Sequence, residues 1–173
     1  MSVLPPERGR ARLLLLISQL PGIGPARANT IIDHLGVSDT FYDADPKILA
    51  ELPGIGARIA GEISSTLRNA DWRRKAFDAA DRQLGLADRL GATVLTILDA
   101  GYPPLLRQIY DPPPVLFVRG DSQILSRPSV AVVGTRKPSS YGRQAAEHFC
   151  RDLTIGGCTI VSGLARGIDT AAH

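Results

Sequence analysis

The sequence predicts an α/β protein in two parts, an all-helical first part followed by a mixed part built on parallel strands. Three observations carry this. The pentapeptide LPGIG occurs twice, at 20–24 and 52–56; an amphipathic helical stretch runs through 71–90; and two apolar, β-branched runs, 130–133 and 158–161, each lead directly into a glycine loop.

The chain of 173 residues is 44% hydrophobic, enough to fill a core, and its net charge is +3. That surplus permits a polyanionic partner but excludes the dense basic stretch of a histone-like binder, so any nucleic-acid contact must be local. Cys150 and Cys158 form no closely spaced pair and have no neighbouring histidine cluster, which argues against a disulfide framework or a zinc site and for reduced, buried thiols. The apolar run Leu13 to Ile17 is too short to cross a bilayer, and the LPGIG motif follows it instead of a cleavage site. A cytoplasmic protein with no membrane contact and no cofactor is expected.

Within the first part, Ala28 and Ile31 recur as Ala60 and Ile63 at the same offset as the repeated pentapeptide. Each copy reads as an apolar segment, a Pro-Gly turn with a second glycine two residues on, and a helix: a tandem helix-hairpin-helix spanning 1–70. Gly22, Gly24, Gly54 and Gly56 suit a tight turn whose amides can hold an anion at a helix N-terminus, with Arg27 and Arg58 as supporting cations. These six residues form an auxiliary candidate DNA-binding set; the alternative is a hairpin module that docks a protein.

The stretch 71–91 is expected to be a connecting helix, with Phe77, Ala80, Leu84, Ala87 and Leu90 at helical spacing, Asp71 as its cap and Gly91 as its stop. Its basic opening, Trp72 to Lys75, reads as a solvated first turn. Beyond it, residues 92–173 should form the first part of a Rossmann-like parallel-sheet domain. Strands are expected at Thr93–Leu98 and Val115–Val118, with a short helix opened by Tyr102-Pro103-Pro104 and a stiff turn at Asp111–Pro114 between them.

Val130–Val133 is unbroken and β-branched, as a strand covered on both faces should be, and enters the loop GTRKPSSYG. A helix from Tyr141 to about Ile155 follows, capped by Ser139 or Ser140, with Ala145, Phe149 and Leu153 on one face. Cys158–Val161 is the second strand, entering Ser162–Gly167 before another helical start. Ligands of open α/β sheets lie beyond the strands' carboxyl ends, where both loops fall. The candidate DNA-binding set is Gly134, Thr135, Arg136, Lys137, Ser139, Tyr141, Arg143, Ser162, Gly163, Arg166 and Gly167: glycines and hydroxyls for phosphate, four cations, and one ring for stacking on a base.

Several chemistries are disfavoured. Gly134 does not open a dinucleotide fingerprint, no Gly-Lys triphosphate loop is present, and no nucleophile and base stand at a recognisable spacing. Asp169 and His173, four apart, are read as capping and packing residues. The expectation is a binding protein and not an enzyme, with a nucleotide- or phosphoribosyl-binding enzyme as the alternative.

The segments VAVVGTRKPSSYG (130–142), VSGLARGIDTAAH (161–173) and, upstream, YPPLLRQIYDPPPVLFVRG resemble the DNA processing protein A family. The tandem hairpins resemble the SAM-like domain that many members carry. The resemblance implies a non-enzymatic mediator that binds and protects incoming single-stranded DNA in natural transformation and helps to load the RecA recombinase. It places Gly134, Thr135, Arg136 and Ser139 on the family's first loop, and Ser162, Gly163, Arg166 and Gly167 on its second. Members continue well past the equivalent of His173, so the chain reads as the N-terminal portion of a longer protein, its sheet domain truncated, and a homodimer is expected.

Overall fold

The computed structural model describes residues 6–37 and 39–173. Residues 1–5 and 38 of the expected first domain lie outside the described residues. The chain divides into two compact units between Ser122 and Gln123, later than the boundary at 92 expected from the sequence.

The first unit begins with α1 (Pro6–Ile17). Its run Leu13–Ile17 is buried on every side, with Leu14, Leu16 and Ile17 fully inaccessible, which is why it shows no polar face. α2 (Pro25–Leu35) takes Pro25 in its first turn, where a missing N–H costs nothing. It completes the first hairpin. α3 (Pro46–Glu51), capped by Asp45 accepting from the Lys47 amide at 2.8 Å, pairs with α4 (Ala57–Arg68) in the second. The residues matched between the repeats, Ala28 with Ala60 and Ile31 with Ile63, all have 0% exposure. The repeat is therefore a core signal: small residues let helices approach and isoleucines fill the space between them.

A single residue, Asn69, separates the end of α4 from α5 (Ala70–Arg89). Its cap is Asn69, whose side chain accepts from the Trp72 amide at 3.0 Å, and not Asp71. Ala76, Ala80, Leu84 and Ala87 are buried, while Leu90, expected on that face, is half exposed beyond the last turn. Ala80 and Leu84 pack on Ala11 and Leu15 of α1. Arg12 adds a two-pronged pair to Asp81, both bonds 2.7 Å, and lies over the Phe77 ring at 4.1 Å. Exposed ion pairs contribute about 0–1 kcal/mol, so the apolar seam dominates this docking.

β1 (Ala92–Thr96) and β2 (Val115–Arg119) pair antiparallel, Ala92 opposite Arg119 and Thr96 opposite Val115. The short α6 (Pro104–Arg107) lies between them. This ribbon belongs to the helical unit for identifiable reasons. Val94 and Val115 pack on the α1–α5 seam. Asn29 of α2 donates to the Pro112 carbonyl at 2.7 Å, and the buried Tyr102 hydroxyl donates to Pro113 at 2.8 Å, so the triple-proline turn is tied from two sides. Burial raises the Tyr102 pKa above the ordinary tyrosine value, with the Arg107 guanidinium pulling the other way.

The second unit holds β3 (Ser129–Ala131) and β4 (Thr159–Val161), paired parallel with Ser129 opposite Thr159 and Ala131 opposite Val161. α7 (Ser140–Ile155) connects them, and α8 (Ile168–Ala172) follows β4. This is the strand, loop, helix, strand, loop, helix order of a Rossmann-like beginning. Ser139 caps α7 by accepting from the Gly142 amide at 3.1 Å. The inward face of α7 differs from the one its spacing suggests. Ala146 and Cys150 are buried, whereas Phe149 is 66% exposed. The buried face of α7 is made of small residues, and Phe149 on its larger apolar face stays exposed. Val133 at 82% exposure shares that condition. The fold is thus α/β, a tandem helix-hairpin-helix unit followed by a short parallel pair.

Candidate nucleic-acid interface

The two glycine loops of the second unit touch each other. Ser162 donates its hydroxyl to the Val132 carbonyl at 2.8 Å, at the end of β3, and the Ile168 amide donates to the Thr135 carbonyl at 3.1 Å. A Cβ on Gly134 would sit 2.5 Å from Ile168, and one on Gly167 would overlap the Thr135 carbonyl oxygen. Gly167 also has φ +96, a backbone angle other residues rarely adopt. These two glycines let the loops interlock.

Within the first loop the Thr135 hydroxyl accepts from the Lys137 amide at 3.2 Å, an ST-type turn that shapes the following residues. Ser139 is occupied as the α7 cap. Within the second, Thr170 donates to the Ala165 carbonyl at 2.7 Å, and Gly163 lies against the Asp169 carboxylate. Leu164 is held at φ +56 with its side chain exposed. Backbone strain at a non-glycine residue concentrates at functional loops, and nothing in the sequence marked this one.

Arg136, Lys137, Ala165 and Arg166 line one depression of about 640 Å³. The three cations are exposed and make no ion pair among the described residues. The interlock thus brings Gly134, Thr135, Arg136 and Lys137 together with Arg166 and Gly167, while Ser162 and Gly163 occupy the strand side of the second loop. Tyr141, 81% exposed, and Arg143 stand on the first turn of α7 and do not line the depression. Ala165 and Asp169 belong to the loop's architecture but were not in the expected set. An acid in the first turn of the helix after the loop was the available signal.

The auxiliary set presents a different picture. Gly22 and Gly54 adopt φ +71 and +75, and Gly24 and Gly56 begin α2 and α4 with no side-chain cap bond. The two turns are near-copies with open helix N-termini. Arg27 spans both: its Nη1 donates to the Gly22 carbonyl at 2.7 Å and its Nε to the Gly54 carbonyl at 2.8 Å. Its guanidinium is spent on tying one hairpin to the other. Arg58 pairs with Glu62 at 2.6 Å but remains largely exposed.

Among the described residues no His, Cys, Asp and Glu cluster could hold a metal, and no helix is long and apolar enough to cross a membrane. Cys150 is buried and Cys158 half-buried, both as free thiols.

Fold and loops together define a class, that of helix-hairpin-helix proteins joined to a Rossmann-like unit with basic glycine loops. Residues 93–173 match the model of the family described as DNA recombination-mediator protein A, and residues 13–69 match the SAM-like helix-hairpin-helix tandem. The DNA processing protein DprA of Bacillus subtilis is 34% identical over 135 residues, covering 77% of this chain and 45% of that protein. Protein Smf of Synechocystis is 32% identical over 163 residues, 90% of this chain and 38% of its own length. The X-ray structure of DprA from Streptococcus pneumoniae superposes on 100% of this chain and 53% of that one with a TM-score of 0.60 at 27% identity. Residues 93–173 are thus similar to the DNA recombination-mediator protein A family, and the chain spans less than half the length of these two curated relatives.

Proposed function

We propose that the second unit carries a single-stranded DNA-binding surface of a recombination mediator, centred on Arg136, Lys137 and Arg166. The observation that carries this reading is the convergence of three unpaired cations on one depression beside two interlocked glycine loops. A polynucleotide backbone suits such a site better than a single nucleotide, because the cations lie around an open surface and not within an enclosed pocket. Gly134, Thr135, Ser139, Ser162, Gly163 and Gly167 shape the loops. Tyr141 supplies an exposed ring for a base and Arg143 a further cation along the strand's path.

The rest of the reading rests on the family: binding without catalysis, protection of incoming DNA, assistance in loading RecA, and action as a cytoplasmic homodimer. The hairpin turns form an auxiliary surface in which Gly24, Gly56 and Arg58 meet phosphates and Arg27 fixes the spacing of the turns.

The test is titration of a fluorescent oligonucleotide with the full chain at several salt concentrations. Arg136→Ala and Arg166→Ala should each weaken binding about five- to tenfold and flatten the salt slope by about 0.7 per lost phosphate contact. Unchanged affinity in both variants, or displacement of the oligonucleotide by a mononucleotide at similar concentration, overturns the reading.

A further inference from the structure

Asp169 is the one acidic side chain in the second unit that is buried, at 7% exposure, and no cation pairs with it among the described residues. A carboxylate withdrawn from water without a partner is costly and needs a structural reason. Its surroundings supply one. It stands in the first turn of α8, where the helix dipole favours an acid. Oδ2 accepts from the Ala165 amide at 3.5 Å, across the base of the second loop. A Cβ on Gly163 would lie 3.0 Å from the same oxygen. The carboxylate therefore fills the space left by the missing side chain at 163 and is tied to the amide immediately before Arg166.

We propose that Asp169 is the positioning residue of the second loop, holding the Ala165–Arg166 backbone where Arg166 joins Arg136 and Lys137. The proposal rests on the DNA-binding reading above. It carries a counterintuitive consequence: removing a negative charge from beneath a polyanion site should weaken binding. A carboxylate acting only through its charge would repel phosphate, and its removal would tighten binding.

The experiment uses the full chain with two readouts. In the oligonucleotide titration, Asp169→Ala should weaken binding about as much as Arg166→Ala, on the order of five- to tenfold, and flatten the salt slope similarly. The Asp169→Ala/Arg166→Ala double variant should be no weaker than Arg166→Ala alone, because both remove the same contact. Asp169→Asn, which keeps an acceptor oxygen and the shape, should stay within about twofold of the parent, a margin worth only a few tenths of a kcal/mol. A role in stability alone would lower Tm without this non-additivity.

The second readout needs no DNA: trypsin cleavage at the Arg166–Gly167 bond should accelerate in Asp169→Ala and not in Asp169→Asn. Should Asp169→Ala fail to fold, Gly163→Ala, whose methyl displaces the carboxylate, takes its place in both assays. The proposal is overturned if the folded variant binds and is cleaved like the parent while Arg166→Ala binds weakly, an outcome that leaves the DNA reading intact. Tighter binding by both Asp169 variants also overturns it. If Arg136→Ala and Arg166→Ala bind like the parent, the DNA reading fails alone, and the cleavage rates still decide whether Asp169 anchors the loop.

Discussion

A methyl group placed on Gly22 or Gly24 would meet nothing within 4 Å, whereas one on Gly134 would press into Ile168 and one on Gly167 would overlap the backbone of the facing loop. The hairpin turns and the glycine loops look alike in sequence, each a short glycine motif ahead of a helix. At Gly22 and Gly54 of the hairpins glycine answers a demand of the chain's own torsion angles, φ +71 and +75, and the space around the turns stays open to an incoming group. In the loops it answers a demand of a neighbouring segment, and the space is already filled. Ligand contact at the loops must then come from the side chains around the interlock, above all Arg136, Lys137 and Arg166. At the hairpins the exposed amides themselves remain accessible.

Substitutions separate the two kinds of glycine by size of effect. Gly167→Ala combines a forbidden torsion with a backbone collision and should destabilise the second unit by about 3 kcal/mol or more, read as lost protection of α7 and β4 amides in hydrogen exchange. Survival of that protection would show that the interlock yields cheaply. Gly22→Ala and Gly54→Ala should each cost only about 1 kcal/mol in thermal or urea unfolding, since positive φ is the sole obstacle. A larger loss at Gly54 would show that the Arg27 bracket reaches further than its two hydrogen bonds.

The smallest effect tests a region outside the comparison. Burial favours the neutral Tyr102 phenol in the folded state, so the stability linked to it is present at neutral pH and lost as the pH climbs beyond the ordinary tyrosine range. Spectrophotometric titration should show a late phenolate step that Tyr102→Phe deletes.

The legible parts of the molecule were those encoded by repetition or by adjacency in sequence. The hairpins announced themselves because Ala28, Ile31, Ala60 and Ile63 do the same packing work twice, and the loops because a β-branched run must end somewhere. What stayed hidden depends on segments distant in sequence. Phe149 looks inward by helical spacing, yet Ala146 and Cys150 take the buried place, a choice set by segments that pack on α7 from elsewhere in the chain. Arg27 reads as a free cation until Gly54, twenty-seven residues on, is seen to claim it. The antiparallel ribbon of β1 and β2 reads as the opening of the sheet domain. The ties from Asn29 and Tyr102 to the proline turn, which hold it to the helices, join residues that nothing in the local pattern connects.

Interlocking also limits what can be transplanted. A protein engineer wishing to move this anion-facing surface onto another scaffold could not lift either loop alone, since Gly134 is small for the sake of Ile168 and Gly167 for the sake of Thr135 and Arg136. The smallest portable cassette runs from the end of β3 through α7 and β4 to the first turn of α8. By the same logic, drift at one loop is acceptable only when the other changes in step, so variation among natural sequences should appear there as matched pairs and not as independent substitutions.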